Sequence, residues 1–235
     1  MKYKFIGIGV GPGDSGLLTA NAIELLKNAE IITAPLNNKN TMGTAYKIAE
    51  KYINKKAEII GLDIPMNKNQ NIANDKIHAA SEIIIKKLYT NDIIFLSLGD
   101  PSVYSSFEYI KSIVKQKGYE VVTIPGITSF CAAASATGIS LCSGDENVAI
   151  IPYFIDENQI NKIMQIFDAA IIMKVYKNFI NLKQFLIDSK LIKNTFLCCN
   201  IGFENEKIFF GEELLKLQSI DYFSTIIIKN IREKS

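Results

Sequence analysis

Leu96-Ser-Leu-Gly-Asp-Pro-Ser-Val-Tyr104 is the stretch on which the reading of the fold turns. It closes the run Asp92-Ile-Ile-Phe-Leu-Ser-Leu98, which has no polar face and reads as a strand buried on both sides in a parallel sheet. Gly99 permits a tight turn and a close approach of backbone to a ligand. Pro101 has no N–H to give to a ladder, so the strand must stop, while its fixed φ suits the start of a helix. Ser102 to Gln116 then carries Val103, Phe107, Ile110 and Val114 at helical spacing. Strand, loop and helix in that order put the loop at the carboxyl end of a strand, where open α/β sheets bind ligands.

Outward from this point the same alternation repeats. On the amino-terminal side, Tyr3 to Gly9 is a short apolar strand running into Gly9-Val-Gly-Pro-Gly-Asp14. Asp14 or Ser15 can cap a helix whose apolar positions are Leu18, Ala22, Leu25 and Ala29. Strands are predicted at Glu30 to Ala34 and Glu58 to Leu62, with helices at Gly43 to Ile53 and Asn71 to Tyr89. On the other side, Glu120 to Ile124 is a strand broken by Pro125-Gly126, and Thr128 can cap a small-residue helix that Gly138 stops. The remainder predicts strands at 148–151, 169–175, 195–201, 207–210 and 223–229, with helices at 156–167 and 178–187. Asn205 and Gly211 suggest hairpin turns there. The expected fold class is therefore α/β, with a mostly parallel sheet in an N-terminal domain, residues 1–124, and a mixed sheet in a C-terminal domain, residues 125–235.

Composition limits the partners. The chain has 235 residues and a net charge of +2, so no field for polyanions such as nucleic acids is implied. Arg232 is the only Arg, which leaves almost no bidentate clamp for phosphates or guanine edges. No apolar stretch approaches the roughly 18 residues of a membrane span. No secretory leader is read at the N-terminus, and the four Cys read as reduced core residues without metal or disulfide spacing. These features imply a cytoplasmic protein without a metal site.

Gly11-Pro-Gly-Asp-Ser-Gly16 matches GxGxxG formally. A dinucleotide site also needs an acid for the ribose about 20 residues on. That position reads Thr33-Ala-Pro-Leu36, without an acid, and Pro12 stiffens the loop where amides would face a pyrophosphate. A loop lining a ligand cleft or a tight strand-to-helix turn fits these residues better than a nicotinamide or flavin site. His78 reads as a surface or partly buried residue of its helix, Tyr104 and Tyr109 as core, and Asp145-Glu146 as either a solvated pair or a substrate contact. With so little acid–base hardware, the chemistry points to a reactive cosubstrate and catalysis by positioning two reactants.

Gly7-Ile-Gly-Val-Gly-Pro-Gly-Asp14 with Leu17-Leu-Thr19, then Leu98-Gly-Asp-Pro101, then Pro125-Gly-Ile-Thr-Ser129, resembles the three successive signatures of the tetrapyrrole methylase family. The order and spacing hold across nearly the whole chain. Asp100-Pro-Ser-Val-Tyr-Ser105, Gly126-Ile-Thr-Ser-Phe-Cys-Ala-Ala133, Leu141-Cys-Ser-Gly-Asp-Glu146 and Ile64-Pro-Met66 narrow the resemblance to members that methylate carbon 20 of precorrin-2 or its cobalt complex in cobalamin synthesis. The resemblance implies S-adenosylmethionine as methyl donor, held in a cleft between the two domains. It assigns donor contacts to Leu98, Gly99, Asp100, Val103, Thr128, Ser129, Met173 and Gly202. It assigns the tetrapyrrole to the loop of Gly11, Pro12, Gly13 and Asp14, and it implies a homodimer. It supplies no catalytic base. Asp100 has two readings, one through its turn and one through a direct bond from its carboxylate to the donor.

Overall fold

The structure, a computed structural model, describes residues 3–64 and 70–229. Contacts divide the chain into two compact units, Met1–Thr128 and Ser129–Ser235.

The first unit is built on β1 (Lys4–Gly9), β2 (Ile31–Pro35), β3 (Glu58–Leu62), β4 (Ile93–Ser97) and β5 (Glu120–Ile124). They form one parallel sheet in the order β3-β2-β4-β1-β5. Between them run α1 (Ala20–Asn28), α2 (Thr44–Ala49), α3 (Gln70–Lys87) and α4 (Phe107–Gln116). The run read as a two-sided buried strand, β4, is buried at every position. Alternate residues point to opposite faces of a strand. Phe5, Ile31, Ile93 and Phe95 accordingly pack on one face with Ile84 and Leu88 of α3 and Phe107, Ile110 and Val114 of α4. Ile6, Ile8, Ile32, Ile94 and Leu96, of opposite parity, are buried on the other.

Register sets where this sheet ends. Gly9 pairs with Ser97, Ile8 with Ile124, and Pro35 with Leu62. All five strands therefore terminate at one level. The three sequence signatures leave from β1, β4 and β5, which are adjacent.

The second unit holds β6 (Val148–Ile151), β7 (Ala169–Met173), β8 (Thr195–Cys199), β9 (Lys207–Phe210) and β10 (Ser224–Lys229), with α5 (Ser129–Thr137), α6 (Glu157–Ile166) and α7 (Phe179–Asp188). Its order is β6-β7-β10-β8-β9. Only β6 and β7 are parallel, and the other pairs are antiparallel, so the sheet is mixed.

Several local expectations are corrected. Pro101 does not start a helix. Residues 101–104 form a turn, and α4 begins at Phe107, because Tyr104 takes a φ of 48° that no right-handed helix admits. Val103 thus sits in the loop. Tyr104 and Tyr109 are not core; they are 48% and 62% exposed. Asp14 caps only a short 3-10 turn at Ser15–Leu17, and Thr19 is the residue that caps α1. Thr128 does not cap α5, since its hydroxyl is buried with no hydrogen-bond partner among the described residues. Gly211 makes no hairpin, because β9 pairs with β8 and the following strand lies beyond it. Cys198 and Cys199 are buried as read, whereas Cys131 and Cys142 are exposed.

Phe107 is 1% exposed, with ring centroids 5.2 Å from Phe5 and 5.8 Å from Phe95. Its removal leaves an aromatic-sized void under β1 and β4. Phe107→Ala is expected to lower stability by about 3–5 kcal/mol, read as a shift of the chemical-denaturation midpoint. A loss below about 1 kcal/mol would contradict this packing.

Candidate functional site

The sheet end of the first unit brings the signature loops into main-chain contact. The β1–β4 ladder continues past the strands, with the Val10 amide donating to the Ser97 carbonyl at 2.9 Å. The two glycine loops then exchange bonds. Gly99 N–H donates to the Gly11 carbonyl at 2.8 Å, and Gly11 N–H donates to the Gly99 carbonyl at 3.2 Å. This antiparallel bridge joins loops that follow parallel strands, which requires the chain to reverse locally. Both glycines do so with left-handed backbones, φ 79° at Gly11 and 69° at Gly99.

The third loop closes on the other side of β1. A Cβ at Gly126 would lie 2.2 Å from the Gly99 carbonyl oxygen, and one at Gly9 would lie 2.6 Å from the Gly126 nitrogen. Main chain here packs on main chain with no room for a side chain. Asp100 fixes that approach. Its Oδ2 accepts from Gly126 N–H at 2.9 Å, while Oδ1 accepts from the Ser102 amide at 2.7 Å and from the Ser102 hydroxyl. Burial pushes this carboxyl up, but the bonds from the Ser102 hydroxyl, the Gly126 amide and the Ser102 amide outweigh it and hold the group below its ordinary value. The carboxylate therefore works inside its own turn and also across to the β5 loop. That bridging role was in neither sequence reading of Asp100. Beneath it, buried Ser97 pairs its hydroxyl with that of Ser105 at 2.7 Å, anchoring the far end of the loop.

Leu98, Gly99, Asp100, Val103 and Thr128, together with Gly11, Pro12, Gly13 and Asp14, all lie on the loops at this edge. Pro12 is buried and Asp14 is exposed, the latter accepting from Gly16 N–H at 2.7 Å. In the second unit, Ser129 opens α5, half-buried Met173 ends β7, and Gly202 follows β8. Gly202 has φ 82°, and its amide donates to Glu206 at 2.8 Å. Met173 pairs with Thr225 and Cys199 with Ser224, so Met173 and the turn holding Gly202 share one end of the second sheet.

An aromatic cluster at that same end has no local signal in the sequence. Tyr176, Tyr222, Phe223 and Phe203 stand in series with ring centroids 4.8, 5.0 and 5.7 Å apart. They come from three separate turns and no local spacing links them. Asp145 and Glu146 go elsewhere. Glu146 pairs with Lys229 at 3.0 Å, and Lys229 sits opposite Ala169, the other end of β7 from Met173. A depression of about 480 Å³ beside them, lined by Ser143, Gly144, Asp145 and Asp168 among others, includes none of the residues that the family resemblance assigns to donor or tetrapyrrole. Among the described residues no cluster of His, Cys, Asp or Glu is placed to hold a metal ion, and no helix is long and apolar enough to cross a membrane. Burial pushes the Cys198 thiol up to about 12, far from a nucleophilic thiolate at neutral pH.

These features define an α/β protein with main chain, cleared by glycines, presented at three adjacent strand ends. The chain belongs to the tetrapyrrole (corrin/porphyrin) methylases, whose family model matches residues 4–214. It is 35% identical to a Methanocaldococcus jannaschii protein described as a probable cobalt-precorrin-2 C(20)-methyltransferase, over 97% of each chain. Its fold matches a cobalt precorrin-4 methyltransferase at TM-score 0.74 and 16% identity, covering 96% of this chain and 94% of the other. It also matches a uroporphyrin-III C-methyltransferase from Thermus thermophilus complexed with S-adenosylhomocysteine, at TM-score 0.65 and 16% identity, covering 96% and 97%.

Asp100→Ala removes the acceptor for three donors of the loops and is expected to cost about 1–2 kcal/mol at neutral pH. Because the folded carboxyl titrates below its unfolded value of about 3.9, this stabilisation is present above that pH and lost as pH falls through the lower folded value. The gap between wild type and variant should therefore be flat from pH 5 to 7 and close in stronger acid. Denaturation curves across that range check it, and a gap that persists unchanged in acid contradicts it.

Proposed function

We propose that the protein transfers a methyl group from S-adenosylmethionine to carbon 20 of cobalt-precorrin-2 in cobalamin synthesis. The observation that carries this reading is the 35% identity to the Methanocaldococcus relative over 97% of each chain, with all three signatures present in order in this sequence. The Ile-, Lys- and Asn-rich composition, suggestive of an AT-rich anaerobe, and the cobalt-bearing substrate in that relative's name favour the metal complex over metal-free precorrin-2. A sister methylase acting at another macrocycle position is the competing reading.

The first unit's residues suit the donor on two counts. The direction a side chain would take from Gly99 is open, its nearest heavy atom being the Ile127 carbonyl oxygen at 3.9 Å, so a ligand can reach the main chain there. The Thr128 hydroxyl is buried and unpaired among the described residues, a polar atom in want of a partner. We assign the donor to Leu98, Gly99, Asp100, Val103 and Thr128 of the first unit and to Ser129, Met173 and Gly202 of the second. We assign the macrocycle to Gly11, Pro12, Gly13 and Asp14. A sulfonium donor supplies a methyl group already activated for attack, so no protein nucleophile is required. The chain's part is to hold the loops rigid, to place the reactants in line and to keep water out, which can account for most of the barrier reduction. The homodimer implied by the resemblance and a cytoplasmic setting complete the proposal.

Incubation with methyl-labelled donor and each form of precorrin-2, followed by NMR localisation of the label, tests the activity. The label is expected at carbon 20 and to accumulate faster on the cobalt complex. Label at another carbon, or equal or faster turnover of the metal-free macrocycle, overturns the corresponding part. Gly99→Val tests the donor site. A β-branched residue at φ 69° is strained by about 1–2 kcal/mol or more, and its side chain fills the open approach. Calorimetry should show loss of S-adenosylhomocysteine binding while circular dichroism stays native. A folded variant that binds as tightly as wild type would sink the assignment.

A further inference from the structure

We propose that Lys39 is a binding residue for a side-chain carboxylate of the tetrapyrrole. This rests on the tetrapyrrole reading above and extends it to a residue outside the three signatures. A precorrin carries acetate and propionate groups around its rim. A protein that holds it must offer cations or amide donors along the edge of the site.

Five loops leave the carboxyl edge of the parallel sheet, at residues 10–19, 36–43, 63–69, 98–106 and 125–128. Among their described residues Lys39 is the only Lys or Arg. Lys76 reaches this edge from α3 but is already paired with Asp63 at 2.8 Å. Lys68, on the loop of residues 63–69, and Arg232 lie outside the described residues. The other charged groups among the described residues of these loops are acids, Asp14, Asp63 and Asp100. Among the described residues of this edge, an anionic substrate therefore meets one loop cation without an ion pair, since none of the ion pairs of the described residues includes Lys39.

The loop that carries it is built in advance. Asn37 Oδ1 accepts from the Lys39 amide at 2.9 Å and from the Thr41 amide at 3.1 Å, and Asn37 Nδ2 donates to the Thr41 hydroxyl at 2.7 Å. Asn37 N–H donates to the Thr41 carbonyl at 2.8 Å, Gly43 N–H to the Pro35 carbonyl at 3.0 Å, and Leu36 and Met42 form an antiparallel bridge. Every side chain from Asn37 to Thr41 is exposed. The result is a short, braced arm of polar residues standing off the end of β2. That strand neighbours β4, so the arm and the Gly99 loop leave adjacent strand ends. A fixed backbone under a flexible ammonium lowers the ordering cost of a charge-assisted bond while letting the head group reach the carboxylate.

The test is a binding titration of cobalt-precorrin-2 against wild type, Lys39→Met, Lys39→Glu and Lys39→Arg, with S-adenosylhomocysteine titrated in parallel and label position scored on the same samples. Lys39→Met is expected to weaken macrocycle binding about tenfold, the size of one exposed charge-assisted bond. Lys39→Glu should weaken it further and Lys39→Arg should restore most of it, with donor affinity unchanged throughout. Weakening should shrink at high salt. Macrocycle affinity that is the same in Lys39→Glu as in wild type overturns the proposal. So does a loss confined to the donor, or a wild type that binds no carboxylated tetrapyrrole. Methylation at a carbon other than 20, with the Lys39 effect intact, counts against the proposed reaction and supports Lys39.

Discussion

The reciprocal pair of backbone hydrogen bonds joining Gly11 and Gly99 is the constraint on which the rest of the first unit's site depends. Two loops from adjacent parallel strands are held in one plane by amide and carbonyl groups, with no side chain needed. That exchange demands left-handed backbones at both residues, which an L side chain adopts only at a cost. It also brings the Gly99 carbonyl so near Gly126 that the third loop must be bare there as well. The glycines of three separate signatures thus answer one geometric requirement, and the carboxylate of Asp100 locks the arrangement by reaching Gly126 N–H. A surface made of main chain in this way is rigid and presents its polar groups at fixed positions, the property a positioning catalyst needs.

The fold exists to deliver those loops. β4, β1 and β5 are neighbours in the sheet and stop at one level because their registers agree residue for residue. The burial of β4 and β1 on both faces, with Phe5, Phe95 and Phe107 packed together on one of them, leaves those strand ends little freedom to slide. In the second unit the same logic appears with different chemistry. Met173 and the Gly202 turn lie at one sheet end beside a series of aromatic rings, while the ion pair of Lys229 and Glu146 braces the loop at the opposite end.

Much of this was legible in the sequence. The strand at Glu58–Leu62, the one at Val148–Ile151 and the hairpin partner at Lys207–Phe210 are found at the residues read for them, because short apolar or alternating runs bounded by Gly, Pro and Asn leave few other choices. The mixed character of the second sheet was read from turn residues at Asn205 and Gly211, of which only Asn205 lies in a hairpin, the one joining β8 to β9. What failed were inferences that treated a local rule as sufficient. Pro101 suited a helix start, yet the chain used it in a turn because Asp100 captures the Ser102 amide and hydroxyl first. Asp14 was a plausible cap, and its carboxylate does cap, but the 3-10 turn it stabilises is followed by a second cap at Thr19. Tyr104 and Tyr109 looked like core because they are aromatic, while their places in a left-handed turn and on the outer face of α4 expose them. The reach of Asp100 across to Gly126, and the meeting of Tyr176, Tyr222, Phe223 and Phe203, join residues distant in sequence. No local pattern encodes such meetings; only the strand order does.

The central claim is that the methyl donor is held against the bridged main chain of these loops. The most direct measurement is the amide spectrum of nitrogen-15-labelled protein titrated with S-adenosylhomocysteine. The account predicts that the amides of Gly99, Asp100 and Thr128, with those of Met173 and Gly202, shift together along one saturating isotherm, while distant amides such as those of Glu146 and Lys229 stay in place. Saturable binding that leaves Gly99 and Asp100 unmoved and shifts another set of amides would contradict it.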